Sequence, residues 1–256
     1  MNTNKNSYTF IYASIVVIIV AFLLAFVSSA LKDRQDNNVA LDKKKQILAS
    51  LNVLNVKDAN AEYAKYVTSE MLVSTGSTDK GCAFSTPTLK ANIKEQLPVY
   101  VCTVKGETKY VLPLYGDGLW GPIWGYISLN ADKNTVYGVY FSHASETPGL
   151  GAEITNHEKF QVPFTGKKVT KNGQIALSVV KHGNVKDTAY EVDGLSGATF
   201  TSTGVSNMLK DILSCYSAFL KDGSTSATAC VTAEKCGHAC GHACEHAGKE
   251  KTVVNK

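Results

Sequence analysis

The chain has 256 residues, of which 44% are hydrophobic and 19% charged, so it has enough apolar side chains to build a folded core. Its net charge of +4 is too small to indicate a nucleic-acid-binding protein, and no basic groove with interleaved aromatic residues is evident. Four of the seven cysteines fall in the last few dozen residues, which separates a distinct tail from the rest of the chain.

An uncharged, strongly apolar run extends from Phe10 to Ala30. It matches the roughly 20 apolar residues that an α-helix needs to cross a bilayer. A cleaved signal peptide is the alternative, because Ser28-Ser29-Ala30 resembles a cleavage site, but its apolar core is usually only about 7–15 residues long. We therefore predict a short amino-terminal segment at 1–9 and a retained transmembrane helix at 10–31.

The charges around this span favour a cytoplasmic location for the rest of the chain. Only Lys5 and the amino terminus precede the span, whereas several basic residues follow it. These are Lys32, Arg34, Lys43, Lys44 and Lys45. By the positive-inside rule, the more basic flank stays in the cytoplasm.

Helical periodicity continues after the span. Val39 to Leu54 reads as an amphipathic helix, and Ala59 to Val67 as a second one, with Tyr63 and Val67 four residues apart. Both lie between the span and the strand-rich region. We predict a helical stalk over residues 32–75.

Alternating β-branched and aromatic residues then predict antiparallel hairpins. Val99–Val104 and Tyr110–Leu114 flank a Lys105-Gly106-Glu107-Thr108 turn, and Gly125–Leu129 and Thr135–Phe141 flank a second turn, Ala131-Asp132-Lys133-Asn134. Further strand candidates are Gln174–Val180 and Thr188–Val192. The predicted fold class is α+β: an antiparallel sheet with flanking helices over 76–222. No βαβ unit with a dinucleotide fingerprint occurs, so we do not expect this chain to hold NADH.

Both tryptophans lie in one glycine-rich segment, Gly116–Gly125. They could be packing mass in a core turn, or an aromatic wall against a flat ring system. A second glycine-rich segment, His143–Gly151, follows a strand. Its His143 could work with Glu146 in acid–base chemistry, but a histidine at a strand end is more often a hydrogen-bonded structural residue.

A third segment, Asp193–Ser202, is small, hydroxyl-rich and glycine-containing, and it runs directly into an apolar-periodic helix. Thr201, Ser202 and Thr203 are natural N-cap residues for that helix. Unpaired N–H groups and the positive dipole end of a helix N-terminus favour an anion, with a phosphate as the best candidate. The alternative is an ordinary capped turn.

Three strings in these segments closely resemble the C subunits of the sodium-translocating NADH:quinone oxidoreductases. They are Gly118-Leu119-Trp120-Gly121, Glu146-Thr147-Pro148-Gly149-Leu150-Gly151 and Asp193-Gly194-Leu195-Ser196-Gly197-Ala198-Thr199. The resemblance covers the anchor and the domain to about Leu220. The third string is similar to that family's flavinylation motif, whose final threonine carries FMN through a phosphodiester bond; here that residue is Thr199.

The resemblance also implies which other residues surround the flavin. The ring would be lined by Trp120, Glu146, Thr147, Gly149 and Leu150. Ala198 and Phe200 flank the attachment site, Thr201 would hydrogen-bond the phosphate, and Lys181 would supply a cation near the phosphate or the ring. Tethering would keep the flavin at high effective concentration even where non-covalent binding is weak.

By the same resemblance, the chain would be an electron-carrying flavoprotein subunit without a complete active site of its own. It would relay electrons from a metal centre in neighbouring membrane subunits to another flavin, during sodium-coupled transfer from NADH to quinone. Its partners would be those subunits, membrane lipid and a separate flavin transferase that takes FMN from FAD. The alternatives are the G subunit of the ferredoxin-linked RNF complex, and a membrane-anchored flavin-binding or sensor module without redox turnover.

The family places its flavin domain outside the cytoplasm, opposite to the lysine distribution. Following the family, we expect a single-pass protein of the inner membrane with its domain on the periplasmic side. Cys82 and Cys102 could then form a disulfide, or they could be two buried free thiols.

The tail, residues 223–256, departs from the family pattern. Cysteine and histidine alternate there with a four-residue period, which on a helix would line up a thiolate and imidazole site for a metal ion. The candidate ligands are Cys236, His238, Cys240, His242 and Cys244. Low-complexity tails are commonly disordered, which is the alternative.

Overall fold

A computed structural model describes residues 6–74, 85–86, 89–90, 96–221 and 228–229. The first described element is one uninterrupted helix, α1 (Asn6–Ser50), which contains the predicted span and the first predicted stalk helix as far as Ser50, four residues short of its predicted end at Leu54. Its Thr9–Ser50 portion is the one stretch of the described residues long and apolar enough to cross a membrane, with a window of mean hydropathy 3.0 that is wholly unburied. This helix fits the predicted membrane anchor.

A short helix and a six-stranded antiparallel sheet follow. Helix α2 (Ala59–Tyr66) is capped by Asp58, whose carboxylate accepts from the Asn60 and Ala61 amides. The strands of the sheet are β1 (Val67–Ser74), β4 (Gln96–Val104), β5 (Glu107–Asp117), β6 (Pro122–Asn130), β7 (Val136–His143) and β12 (Thr228–Ala229). They lie in the order β12-β1-β4-β5-β6-β7. The predicted α+β class is confirmed.

The two predicted hairpins are present. β4 and β5 pair antiparallel across Lys105 and Gly106, which both have positive φ values, 53° and 82°, as the favoured two-residue hairpin turn requires. β6 and β7 pair across the second predicted turn. The end of the predicted stalk, in contrast, lies in the sheet: β1 pairs with β4 from Val67 to Ser74.

Smaller elements surround the sheet. Two-stranded pairings join β2 (Ser85–Thr86) to β3 (Leu89–Lys90), β8 (Thr170–Lys171) to β9 (Gln174–Ile175), and β10 (Ser178–Val180) to β11 (Glu191–Asp193). After β7 come two 3-10 turns, Gly151–Thr155 and Val162–Phe164, with a π-helical turn His157–Gln161 between them. Helices α3 (Thr199–Cys215) and α4 (Ser217–Lys221) precede the last described strand, β12. The predicted strand Gln174–Val180 is thus two shorter strands.

Both faces of the sheet are covered by other elements. One face packs against α3 through a large apolar cluster that includes Leu112, Ile127, Phe141, Val205 and Leu209. The other covers a smaller cluster with Ile47 and Leu51 at the end of α1. Each Å² of apolar surface buried stabilises the fold by about 25 cal/mol. Burial on both faces of the sheet therefore fixes the positions of α1 and α3 relative to the strands.

The end of α1 is also hydrogen-bonded to the sheet. The Ser128 hydroxyl on β6 lies 2.6 Å from the Ser50 carbonyl and 2.9 Å from the Gly138 carbonyl. A Cβ at Gly138 would come within 2.6 Å of the Ser50 carbonyl oxygen, so the close approach requires glycine. The end of α1 is therefore held directly against the sheet of the folded domain.

Two cysteines lie among the described residues. Cys102 is a buried free thiol in the cluster under α1, which agrees with the second of the two alternatives for this residue, whereas Cys82 lies outside the described residues. Burial, with Glu70 nearby, raises the pKa of the Cys102 thiol to about 12. Cys215, at the end of α3, is disulfide-bonded.

Candidate functional site

Three loops meet at one end of the sheet, and they carry the three strings that the sequence singled out. The tryptophan turn, Gly118–Gly121, connects β5 to β6 and is closed by a hydrogen bond from the Gly118 amide to the Gly121 carbonyl at 2.8 Å. The glutamate loop, Glu146–Gly151, follows β7. The threonine string, Asp193–Thr199, runs from β11 into α3.

Glu146 joins these loops through its carboxylate. One oxygen accepts the Trp120 amide at 2.9 Å, and the other accepts the Thr201 hydroxyl at 2.6 Å. The neighbouring Ser145 adds a hydrogen bond from its hydroxyl to the Trp120 carbonyl at 3.0 Å. Only 4% of Glu146 is exposed, so the side chain lies inside the site and links the tryptophan turn to the first turn of α3.

The hydrogen bonds keep this carboxylate ionised. Burial alone would raise the pKa of Glu146, but the Thr201 hydroxyl, the Trp120 and Leu119 amides and nearby His143 together hold the pKa below its ordinary value. His143 accepts the Glu146 amide at Nδ1 over 3.2 Å. This contact matches the structural reading of His143, since it fixes the loop backbone.

Glycines leave the space that the carboxylate fills. A Cβ at Gly118 would lie 2.5 Å from Glu146 Oε1. A Cβ at Gly151 would lie 2.4 Å from Glu146 Oε2 and 2.5 Å from the Thr201 hydroxyl oxygen. Gly204 on α3 allows a similar approach to the Asp117 carbonyl. These positions require glycine for close packing rather than for unusual backbone angles.

Thr199 is the first residue of α3 and is exposed to solvent. The prediction that Thr201, Ser202 or Thr203 caps this helix is wrong, because α3 begins earlier and buried Ala198 occupies the cap without a side-chain hydrogen bond. Tertiary contacts use the hydroxyls instead: Thr201 donates to Glu146, and Ser202 accepts the Leu195 amide at 3.0 Å. The first-turn N–H groups thus have no capping side chain, as an anion site requires.

The loops of the site and the start of α3 carry large exposed apolar side chains. Trp120 is 67% exposed and Phe200 73% exposed, with Leu119 and Leu150 close to half exposed. Trp120 is therefore not core packing mass. Leu150 reaches the threonine string, because a Cβ built on Gly197 would lie 3.0 Å from its Cδ2 atom. Leu119, Trp120, Leu150 and Phe200 form an apolar rim, which can cover one face of a flat ring and leave the other face of that ring accessible.

The remaining predicted site residues lie in the same region or outside the described chain. Thr147 and Gly149 are exposed in the glutamate loop, where Gly149 has a φ of +75°. Lys181 is exposed in the turn after β10, next to the start of the threonine string, since a Cβ at Gly194 would meet the Val180 carbonyl at 2.5 Å. The five predicted tail ligands lie outside the described residues.

Sequence reasoning missed two residues beside the site. Ser145 supports the tryptophan turn, and His182 lies 2.7 Å from the Asp193 carboxylate. Neither belongs to a recognisable local pattern, because their partners are 25 and 11 residues away along the chain. The periodicity of a single segment carries no information about such contacts.

Comparison with known proteins shows that these loops belong to a known domain family. Residues 118–214, which span all three strings, match the FMN-binding domain family. Among curated proteins, the C subunit of the Na(+)-translocating NADH-quinone reductase of Haemophilus ducreyi is 33% identical, over 82% of this chain and 90% of that protein. The corresponding C subunit of Pseudomonas aeruginosa is 30% identical, over 87% of this chain and 98% of that protein.

Two solved structures have the same fold. The C subunit of the Na(+)-translocating NADH-quinone reductase from Parabacteroides distasonis superposes with a TM-score of 0.65 and 44% identity, covering 75% of this chain and 96% of that one. NqrC from Shewanella oneidensis gives a TM-score of 0.56 and 26% identity, covering 70% of this chain and 96% of that one.

Proposed function

Because this chain belongs to the C-subunit family of Na(+)-translocating NADH-quinone reductases, we propose that it is a membrane-anchored flavoprotein that relays electrons within such a complex. The match of residues 118–214 to the FMN-binding domain family supports FMN as its cofactor. The similarity to these C subunits over most of the chain favours this assignment over the RNF subunit and over a sensor module without redox turnover.

The observation that carries the proposal is the position of Thr199. Its side chain is exposed at the start of α3, beside helix amides without a capping side chain and next to the exposed aromatic residue Phe200. A phosphate on the Thr199 oxygen would lie at the positive end of the α3 dipole, which favours an anion. The surrounding residues therefore fit a flavin joined to the chain through its phosphate.

Attachment would be a phosphoryl transfer to Thr199. The threonine oxygen would form a bond to the FMN phosphorus of FAD, the pyrophosphate bond to AMP would break, and the hydroxyl proton would go to a base of a separate flavin transferase. The chain gains FMN less one water. Gly197, with a φ of +75°, and buried Ala198 keep the adjoining backbone free of bulky side chains at the reacting hydroxyl.

Glu146 would act on this site by positioning other residues. Its carboxylate is occupied by Thr201 and by the backbone of the tryptophan turn, so it holds Trp120 next to the start of α3. Trp120, Leu150 and Phe200 would contact the ring, and Lys181 would supply positive charge nearby. When bound, the flavin supplies the electron-accepting chemistry, and the chain supplies orientation and a rigid frame.

We assign the domain to the periplasmic side of the inner membrane. Two of the lysines that oppose this assignment have roles in the folded domain: Lys43 lies over the Tyr100 ring, and Lys44 donates to Asn60 at 2.8 Å. Sodium transport would belong to the whole complex, since α1 has no charged residue in its apolar span to bind an ion.

The test is intact mass and in-gel flavin fluorescence of the denatured full chain, co-expressed with a flavin transferase. The wild type should be fluorescent and heavier by FMN less one water. Thr199→Ala should be dark, Thr199→Ser should retain the flavin because a hydroxyl remains, and Thr203→Ala is the matched control one helical turn on. A dark wild type would contradict the proposal.

A further inference from the structure

The start of the threonine string is held by little regular structure. Within the described residues, strand β11 pairs only with β10, over the three residue pairs from Ser178↔Glu191 to Val180↔Asp193, and the pairing is parallel. Parallel pairing is slightly weaker per residue than antiparallel pairing, and a two-stranded ladder is marginally stable by itself. Something besides this ladder must therefore fix the backbone that leads to Thr199.

Side-chain contacts supply that support at Asp193. One carboxylate oxygen accepts the Gly183 amide at 2.7 Å, and the other lies 2.7 Å from His182 Nδ1. The same histidine nitrogen lies 3.1 Å from the Gly194 carbonyl oxygen. Because both neighbours of Nδ1 are acceptors, this nitrogen carries the hydrogen. It therefore donates to the Asp193 side chain and to the backbone carbonyl of Gly194, the next residue.

The middle of the string is held by other contacts. The Leu195 amide donates to the Ser202 hydroxyl at 3.0 Å, and the Ala198 amide donates to the Leu195 carbonyl at 3.3 Å. Ser196 and Gly197, between Leu195 and Ala198, are exposed. His182 thus holds the first two residues of the string, and Ser202 holds Leu195, the third.

From this geometry we propose that His182 and Asp193 are positioning residues for flavin attachment. The pair holds the start of the string in the conformation that presents the Thr199 hydroxyl to the flavin transferase. Asp193 acts through His182 and Gly183, and its two oxygens are already occupied by them. This inference rests on the proposed attachment of FMN at Thr199.

The pair also orders the turn that carries Lys181. Val180 ends β10 directly beside Gly194, and His182 and Gly183 are bound to Asp193, so Lys181 lies between two fixed points. Loss of the His182 contacts would release the string and this lysine together. Both effects would slow attachment without disturbing the core, because the two side chains are 57% and 42% exposed.

Two variants of His182 distinguish a positioning role from a general loss of folding stability. His182→Ala removes the donor, whereas His182→Asn places an amide N–H close to the position of Nδ1 and should retain both contacts. His157→Ala, at a half-buried histidine in the π-helical turn, is the control for loss of an imidazole elsewhere. Thermal melting of each full-length variant shows whether the domain remains folded.

The first measurement is hydrogen exchange of the amides of residues 194–198 in flavin-free, full-length protein. His182→Ala should exchange faster there than the wild type, His182→Asn should resemble the wild type, and α3 should be unchanged. The second is the rate of flavin attachment by the transferase with FAD. We expect kcat/KM to fall about fivefold for His182→Ala, as for loss of one partly exposed hydrogen-bonded pair, and to recover in His182→Asn.

Unchanged exchange in His182→Ala would overturn the inference, as would faster exchange with an unchanged rate of attachment. A wild type that acquires no FMN would contradict the proposed function instead, and the exchange measurement would still decide whether His182 holds the string.

Discussion

Thr201 on α3 and Glu146 in the loop after β7 are 55 residues apart in the sequence, yet the threonine hydroxyl donates to the carboxylate over 2.6 Å. This hydrogen bond connects the helix that carries Thr199 to the loop that supports Trp120. It makes a buried, ionised carboxylate a structural centre of the site. The site therefore depends on close contacts between segments that are distant in the chain.

Glu146→Gln should lower the free energy of unfolding near neutral pH by about 1–3 kcal/mol, the usual range for a hydrogen-bonded buried charge. Because the folded pKa lies below the ordinary value of 4.5, the contribution of Glu146 is present above that value and is lost as the pH falls through the folded pKa. Urea denaturation at several pH values should show the two proteins converging in acid.

Exposed Glu158, in the neighbouring π-helical turn, provides the control. Glu158→Gln should stay within about 0.5 kcal/mol of the wild type throughout. If the curves for Glu146→Gln and the wild type remained parallel down to acid pH, the ionised carboxylate would not be a source of stability.

Gly151→Ala should destabilise the domain by about 2–3 kcal/mol, because overpacking a filled site forces neighbours to move. The new methyl would lie 2.4 Å from Glu146 and 2.5 Å from Thr201. Gly166→Ala is the matched control: its φ of +81° imposes backbone strain of about 1–2 kcal/mol, but nothing lies within 4 Å. The melting temperature of Gly151→Ala should be lower than that of the control. The amount of attached FMN should fall in Gly151→Ala and stay unchanged in the control.

Trp120→Ala should leave the folding stability within about 0.5 kcal/mol of the wild type, because the side chain is 67% exposed. It should nevertheless change the absorption spectrum and fluorescence anisotropy of the attached flavin, since an aromatic wall would be lost. Trp124→Ala, in strand β6 and half-buried, is the counterpart: it should lower stability while changing the flavin less. An unchanged flavin signal in Trp120→Ala would remove this residue from the site.

Gly138→Ala should loosen the junction between α1 and the sheet, since its methyl would lie 2.6 Å from the Ser50 carbonyl. Hydrogen exchange should then accelerate at residues 50–53, at the end of α1. Ser128→Ala removes the hydroxyl that binds the same carbonyl without adding bulk, and should have a smaller effect of about 1 kcal/mol. Equal protection in both variants and the wild type would mean that α1 is not held at this point.

Cys102 should resist alkylation in the native protein at about pH 8, because the thiolate is the reactive form and the pKa of this thiol is raised to about 12. It should react once the chain is unfolded in denaturant. Mass spectrometry of the peptide that contains Cys102, before and after unfolding, measures the difference. Rapid labelling of the native protein would show that the cluster beneath α1 opens readily.

The amino-acid sequence by itself determined the features that depend on neighbouring residues. The apolar run of α1, the alternation in β4 to β7 and the turn that begins at Lys105 each depend on a few neighbouring residues, so periodicity and turn chemistry predict them, although Glu107 and Thr108 of the predicted turn belong to β5. The glycines and the threonine of the string from Asp193 to Thr199 are local in the same sense. The resemblance of that string to a family motif is what identifies Thr199 as the candidate attachment residue.

Tertiary packing decided the rest. The N-cap prediction failed because Thr201 and Ser202 bind groups in other loops, which compete with capping for the same hydroxyls. β1 joined the sheet instead of the predicted stalk because β4 offered it a pairing partner. The exposure of Trp120 and the pairing of His182 with Asp193 depend on how α3 and β10 are placed against the sheet. Contacts between residues 11 to 55 positions apart form only when the buried core brings their elements together, and no local pattern in the chain encodes them.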